Sequence, residues 1–137
     1  MRTFGLLVFA CIAGASSAVA AAQGSASPSA YSGAADFQTY CASCHGAAAR
    51  GDGTIAKSLP KRPPDLTQLA KRNSDVFPEA KAFKTIDGRT PGASHRGADM
   101  PMWGDVFARS SESPGPDAAA ARITALVNYL ETLQEKR

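Results

Sequence analysis

The last part of the chain carries the clearest pattern of apolar and polar positions. Apolar residues recur there at helical spacing: Ile123, Leu126, Val127, Leu130 and Leu133. Polar residues occupy the intervening positions: Arg122, Asn128, Glu131 and Glu135. This periodicity predicts an amphipathic helix with one buried face and one solvated face. Pro116 and Asp117, which follow a loop at residues 110–115, mark its start.

Three shorter helices are predicted upstream. Ser32 can cap a helix that runs to Cys41, and Asp65 can cap a second short helix. Pro78 suits the first turn of a third helix, which should stop at Gly88. Residues 46–64 and 89–104 are rich in Gly, Pro and basic residues, which favours irregular loops. No stretch alternates with a period of two residues, so the pattern predicts an all-α fold with long loops.

The first residues are typical of an export signal. Arg2 precedes an apolar run, and Ala18-Val19-Ala20 and Ala20-Ala21-Ala22 both fit the small-x-small cleavage rule. We therefore predict a signal peptide at residues 1–22, a flexible linker at 23–30 and one folded domain at 31–137. Two alternatives are an uncleaved membrane anchor and a lipid attached to Cys11. In the predicted cleaved form the chain has no stable membrane span.

The length and the net charge of the chain limit the classes of function that it can have. A chain of 137 residues has room for one compact domain. Lys and Arg number 15 against 12 Asp and Glu, a surplus too small and too scattered to indicate a nucleic-acid partner.

Cleavage of the signal removes Cys11 and leaves only Cys41 and Cys44, in the motif Cys41-Ala42-Ser43-Cys44-His45. A disulfide across so tight a loop would contribute little stability, so we expect these cysteines to have a chemical role rather than a structural one. C-x-x-C-H is the attachment pattern of c-type haem, in which two thiols bind the vinyl groups and the adjacent imidazole binds the iron. A redox dithiol would need a βαβ setting, and the sequence predicts no strands. A structural zinc site would need four ligands, and only His95 remains to join Cys41, Cys44 and His45.

The sixth iron ligand has three candidates in the predicted mature chain: Met100, Met102 and His95. A thioether is a soft ligand that favours ferrous iron and raises the reduction potential. Pro101 and Trp103 stand in the same loop, and Trp103 could donate its indole N–H to a haem propionate or simply pack in the core. Basic residues after the haem motif could ring the haem edge, pair with propionates or face solvent: Arg50, Lys57, Lys61 and Arg62.

From residue 31 to about residue 133 the chain resembles the class I monohaem cytochromes c, of the exported bacterial kind. The resemblance rests on Gly33 and Phe37 before the haem motif, on Gly51-Asp52-Gly53 after it, and on Met100-Pro101-Met102-Trp103-Gly104. Tyr129 and Leu130 match the family's last helix, which packs across the first.

The resemblance implies a small all-α fold around one haem c. It implies covalent attachment at Cys41 and Cys44, and iron ligation by His45 and by Met100, the methionine just before Pro101. The implied function is periplasmic electron transfer. The protein would be a monomeric electron carrier and not an enzyme, and it would exchange electrons with redox partners such as a dehydrogenase or an oxidase. Two alternatives are a haem subunit that accepts electrons within a larger oxidoreductase, and an open-site haem protein that binds gases or reacts with peroxide.

Overall fold

A computed structural model describes residues 31–89 and 100–135 of the protein. Every regular element within these two ranges is helical and none is a strand, so the predicted all-α fold class is confirmed. None of these helices is long and apolar enough to cross a membrane. The predicted signal peptide, linker and His95 lie outside the described residues, and the predicted domain boundaries stay predictions.

The chain begins with one helical segment, residues 33–45. Helix α1 (Gly33–Asp36) passes into a π-helical turn (Phe37–Cys41) and then into α2 (Ala42–His45). Ser32 caps the segment as predicted, because its Oγ accepts a hydrogen bond from the Ala35 N–H at 3.2 Å.

Short 3-10 turns replace most regular structure between this segment and residue 74. They span Ala56–Ser58, Leu66–Gln68 and Lys71–Asn73. Asp65 caps the second turn as predicted, with its Oδ1 accepting from the Thr67 N–H at 2.9 Å. The predicted helix after Asp65 is thus two separate turns, because too few apolar side chains are present to bury a longer helix face.

Two helices follow. Helix α3 (Glu79–Asp87) starts directly after Pro78 and stops at Gly88, whose φ of 70° lies in the left-handed region. Helix α4 (Trp103–Ala108) begins inside the stretch predicted as a loop, so that boundary was wrong. Six residues are too few to show a helical period, and α4 is stabilised by tertiary contacts of its aromatic side chains.

Helix α5 (Pro116–Thr132) confirms the predicted last helix and packs against α1, α3 and α4. Its apolar positions form the centre of the core, as expected from their spacing. Arg122 was predicted on the solvated face, and this was wrong: only 4% of the residue is exposed. Its guanidinium is buried because Asp36 on α1 pairs with it at 2.6 Å.

The first and last helices approach each other at backbone distance. A Cβ on Gly33 would lie 2.0 Å from the carbonyl oxygen of Ala125 on α5. Since such a separation is impossible for non-bonded atoms, only glycine fits this crossing. The contact fixes the position of the helical segment that carries Cys41, Cys44 and His45.

Candidate haem site

The C-x-x-C-H motif lies at the end of the first helical segment. Cys41 closes the π-helical turn, and Cys44 and His45 lie on α2. Gly46 ends the helix, with a φ of 83° and its N–H donating to the Ala42 carbonyl at 2.8 Å. Because the helix stops there, the chain after the imidazole can turn back towards the motif.

The following loop packs directly on the motif. The N–H of Gly51 donates to the His45 carbonyl at 2.7 Å, and that of Gly53 donates to the Cys44 carbonyl at 3.2 Å. A Cβ on Gly53 would lie 2.2 Å from the Ser43 carbonyl oxygen. Glycine is therefore required for this close approach, which gives the Gly51-Asp52-Gly53 match a structural reason.

One cavity brings together the four side chains that the sequence predicted as haem residues. Cys41, Cys44, His45 and Met100 all line this first cavity, whose volume is about 190 Å³. Tyr40, Pro64, Pro101 and Trp103 also line it. The two thiols, the imidazole and the thioether thus face one shared space, although Met100 is 55 residues further along the chain than His45.

A second cavity of about 390 Å³ shares His45, Pro64 and Met100 with the first. Its other apolar lining residues include Leu66, Leu69, Ile86 and Leu130. Ligand pockets in proteins commonly measure roughly 300–1,000 Å³ and are mostly apolar, and the two adjoining cavities taken together match that description.

Met102 has a different environment from Met100. Its residue is 42% exposed, and it is not among the lining residues of either cavity. Its side chain instead packs at Gly88, where an added Cβ would lie 2.9 Å from the Met102 Cγ. Met100 packs against the hydrophobic core.

An aromatic group forms one wall of the first cavity. The ring centroids of Tyr40 and Trp103 are 5.5 Å apart, and each ring lies 5.4 Å from that of Phe107 on α4. Such tilted and edge-on contacts stabilise aromatic packing beyond the burial of apolar area. Trp103 therefore makes core contacts, which were the alternative for this residue, and it also lines the cavity.

Basic side chains lie at both cavities. Lys61 and Arg62 line the first cavity, and Arg72 and Lys81 line the second. None of the lining residues that the structure describes is acidic. Sequence reasoning identified Lys61 and Arg62 but missed Arg72 and Lys81, which no local pattern distinguishes from other surface cations.

The remaining predicted cations are not at these cavities. Arg50 pairs with Glu135 at 3.0 Å near the end of α5. Lys57 lines a separate pocket that also includes Arg62.

The environment of Cys41 does not resemble that of a reactive thiolate. Burial raises its pKa to about 12, with further contributions from Asp36 and Cys44. Redox dithiols and nucleophilic cysteines instead have a lowered thiol pKa. Nor does the described part of the chain contain a cluster of three or more His, Cys, Asp or Glu side chains that could hold a metal ion directly.

The residues present fit a haem. An apolar crevice suits the porphyrin, two thiols on one helix end suit two thioether bonds, and an imidazole and a thioether are the usual axial donors. The cations at the cavities, Lys61, Arg62, Arg72 and Lys81, suit two carboxylates.

Comparison with known proteins agrees with this geometry. The family model described as cytochrome c matches residues 30–134, which is most of the chain. A search of curated proteins finds no match. The chain therefore belongs to the cytochrome c family.

Proposed function

We propose that this protein is an exported electron carrier with one haem c. In this proposal Cys41 and Cys44 form the thioether bonds, and His45 and Met100 are the axial ligands. The observation that carries the proposal is the placement of these four side chains around one cavity. Membership of the cytochrome c family, which implies covalent haem c and haem-based electron transfer, supports it.

When bound, the haem iron supplies a one-electron ferric–ferrous couple. The protein residues hold the group and set its environment. Cys41 and Cys44 keep it attached in both oxidation states, and the Met100 thioether favours the ferrous state. Leu66, Leu69 and the other aliphatic side chains of the second cavity exclude water, which further disfavours the more highly charged ferric state.

The charge at the cavities indicates the kind of partner. Lys61, Arg62, Arg72 and Lys81 place positive charge there. A redox protein with an acidic surface around its own centre would be steered to this face, and the association rate would fall with rising salt concentration.

The proposal includes export to the periplasm, after cleavage of the signal at residues 1–22. The protein then starts near Ala21 or Gln23, continues through the linker at 23–30 and folds over 31–137. Mass spectrometry of the purified protein measures this start directly. Retention of Arg2, or a lipid on Cys11, would contradict the proposal.

Optical spectra of the oxidised and reduced protein test the function. We expect the reduced spectrum of a covalent, low-spin c-type haem, and a weak near-red sulfur-to-iron band in the oxidised protein. Binding of carbon monoxide without denaturant would contradict this assignment and indicate an open site. Elution of the native protein within a larger complex would indicate a subunit of an oxidoreductase.

A further inference from the structure

The second cavity has one wall that lacks a regular helix. Residues 65–73, the wall segment, contribute Leu66, Leu69 and Arg72 to the cavity lining. The segment consists of two single 3-10 turns. It is followed by Ser74, whose φ of 57° is unfavourable for a residue with a side chain. Short turns of this kind are not stable alone, so other contacts must fix the wall segment in place.

Several of those contacts come from the chain immediately after α5. The Ala70 N–H donates to the Oε1 of Gln134 at 2.9 Å, and the Nε2 of Gln134 donates to the Leu66 carbonyl at 2.9 Å. The same Nε2 donates to the Leu130 carbonyl at 2.7 Å. Leu66 and Leu130 both line the second cavity, so one carboxamide joins two of its walls.

The neighbouring residue adds contacts of a weaker kind. The Glu135 N–H donates to the Thr67 carbonyl at 3.0 Å, and the Glu135 carboxylate meets Arg50 and Gln68. Glu135 is exposed, and exposed ion pairs contribute little stability. Gln134 is half-buried, and its hydrogen bonds compete less with water.

Only a carboxamide can make the Gln134 contacts, since it carries an acceptor and a two-hydrogen donor on one group. A glutamate would lose the donor, and an aliphatic side chain would lose both. Loss of the side chain would leave the Ala70 N–H and the Leu66 carbonyl without these partners, which favours opening of the wall segment.

We propose that Gln134 is a positioning residue for electron transfer. Its carboxamide holds the wall segment against α5, keeps water and small solutes out of the second cavity, and thereby raises the reduction potential. The inference rests on the proposed function, because the potential belongs to the haem that the cavity is inferred to hold. Gln134 acts through the wall segment and does not line the cavity itself.

The test compares the full haem-loaded protein with Gln134→Ala and Gln134→Leu. The leucine variant retains most of the side-chain volume and loses the hydrogen bonds, so it separates these two contributions. Asn128→Ala is the matched control, since it removes an exposed carboxamide from α5. Three quantities are measured: hydrogen exchange of the Leu66 amide, which donates to the Ala49 carbonyl at 2.8 Å and not to Gln134, the rate at which imidazole binds to the ferric protein, and the reduction potential.

We expect Gln134→Ala and Gln134→Leu to speed exchange at the Leu66 amide by about tenfold, because the loss of roughly one net hydrogen bond lets the wall segment open more often. Imidazole binding should accelerate by a similar factor and the potential should fall, while Asn128→Ala leaves all three unchanged. Exchange at Leu126, in the core of α5, serves as the measure of global unfolding.

Three results would overturn the inference. The first is unchanged exchange at Leu66 in both variants, and the second is faster exchange with an unchanged imidazole rate and potential. The third is equal acceleration at Leu66 and Leu126, because this indicates general destabilisation. A wild-type protein without covalent haem would refute the proposed function instead, and Leu66 exchange would still test the role of Gln134 in holding the wall segment.

Discussion

Arg122 on α5 and Asp36 on α1 form a buried, bidentate ion pair between residues that are 86 positions apart in the sequence. The Arg122 Nε and Nη2 donate to the two Asp36 carboxylate oxygens at 2.8 and 2.6 Å. The guanidinium also lies over the rings of Tyr40 and Phe107, at 5.1 and 4.5 Å from their centroids. The hydrogen bond to Asp36 raises the pKa of Arg122, so the guanidinium remains charged at every physiological pH.

Removal of one partner should be costly because the other charge stays buried. We expect Arg122→Ala or Asp36→Ala to lower the free energy of unfolding by about 3–5 kcal/mol. Arg122→Lys should also destabilise, since an ammonium group cannot make the two parallel hydrogen bonds. Denaturant titration measures the change, with Arg109→Ala as the exposed control. A loss below about 1 kcal/mol for both alanine variants would contradict this expectation.

Haem attachment should depend on both motif cysteines. Cys41→Ala or Cys44→Ala should leave at most one thioether bond, and the double variant should lose covalent haem and its folded state. The reason is that so small a domain uses its cofactor as part of the core. Haem staining after denaturing electrophoresis is the measurement. Retention of covalent haem by the double variant would show that the attachment site is elsewhere.

The two methionines should differ in their effect on the iron. Met100→Ala should abolish the near-red band and lower the reduction potential, because water, hydroxide or another side chain favours ferric iron more than sulfur does. Met102→Ala should do neither, since Met102 is absent from both cavities. The reverse pattern would move the ligand by two residues. Absence of the band in the wild-type protein would refute methionine ligation and make His95 the leading candidate.

Acid should weaken the contact between Glu135 and the wall segment. The hydrogen bond from Gln68, followed by the contact with Arg50, lowers the pKa of Glu135 below its ordinary value of 4.5. A lowered pKa in the folded state means that the ionised carboxylate stabilises the fold. This contribution is complete above the ordinary pKa and is lost as the pH falls through the lowered one.

Glu135→Gln should therefore be less stable than the wild type at neutral pH, and the difference should disappear in acid. Urea unfolding from pH 7 down to pH 3 measures the difference, and Glu131→Gln is the control on the exposed face of α5. A difference that persists unchanged at pH 3 would show that the charge of Glu135 is not its cause.

Much of the fold could be predicted because its signals are local. The apolar period of α5, the Ser32 cap and the stop at Gly88 each depend on residues within one or two helical turns. The candidate site could also be predicted from the sequence, because C-x-x-C-H is a contiguous motif and the chain has few methionines that could bind the iron.

The features that sequence reasoning missed depend on distant contacts. The burial of Arg122 requires Asp36, and the helix at Trp103 is stabilised through Tyr40 on the first helical segment. Arg72 lies at the second cavity because the wall segment is held against the end of α5. A pattern read over a few residues carries no information about such pairs.

The backbone contact between Gly33 and Ala125 makes the crossing of the two helices insensitive to side-chain shape. Core residues such as Ile123 and Leu126 can be replaced by apolar residues of other sizes if neighbouring substitutions keep the total core volume. Position 33, in contrast, has no room for any side chain. Main-chain atoms have the same dimensions in every protein. Changes of sequence in the core would therefore alter stability before they alter the positions of Cys41 and Cys44, and we expect such changes to leave the distance between the two thiols and the rest of the crevice unaltered.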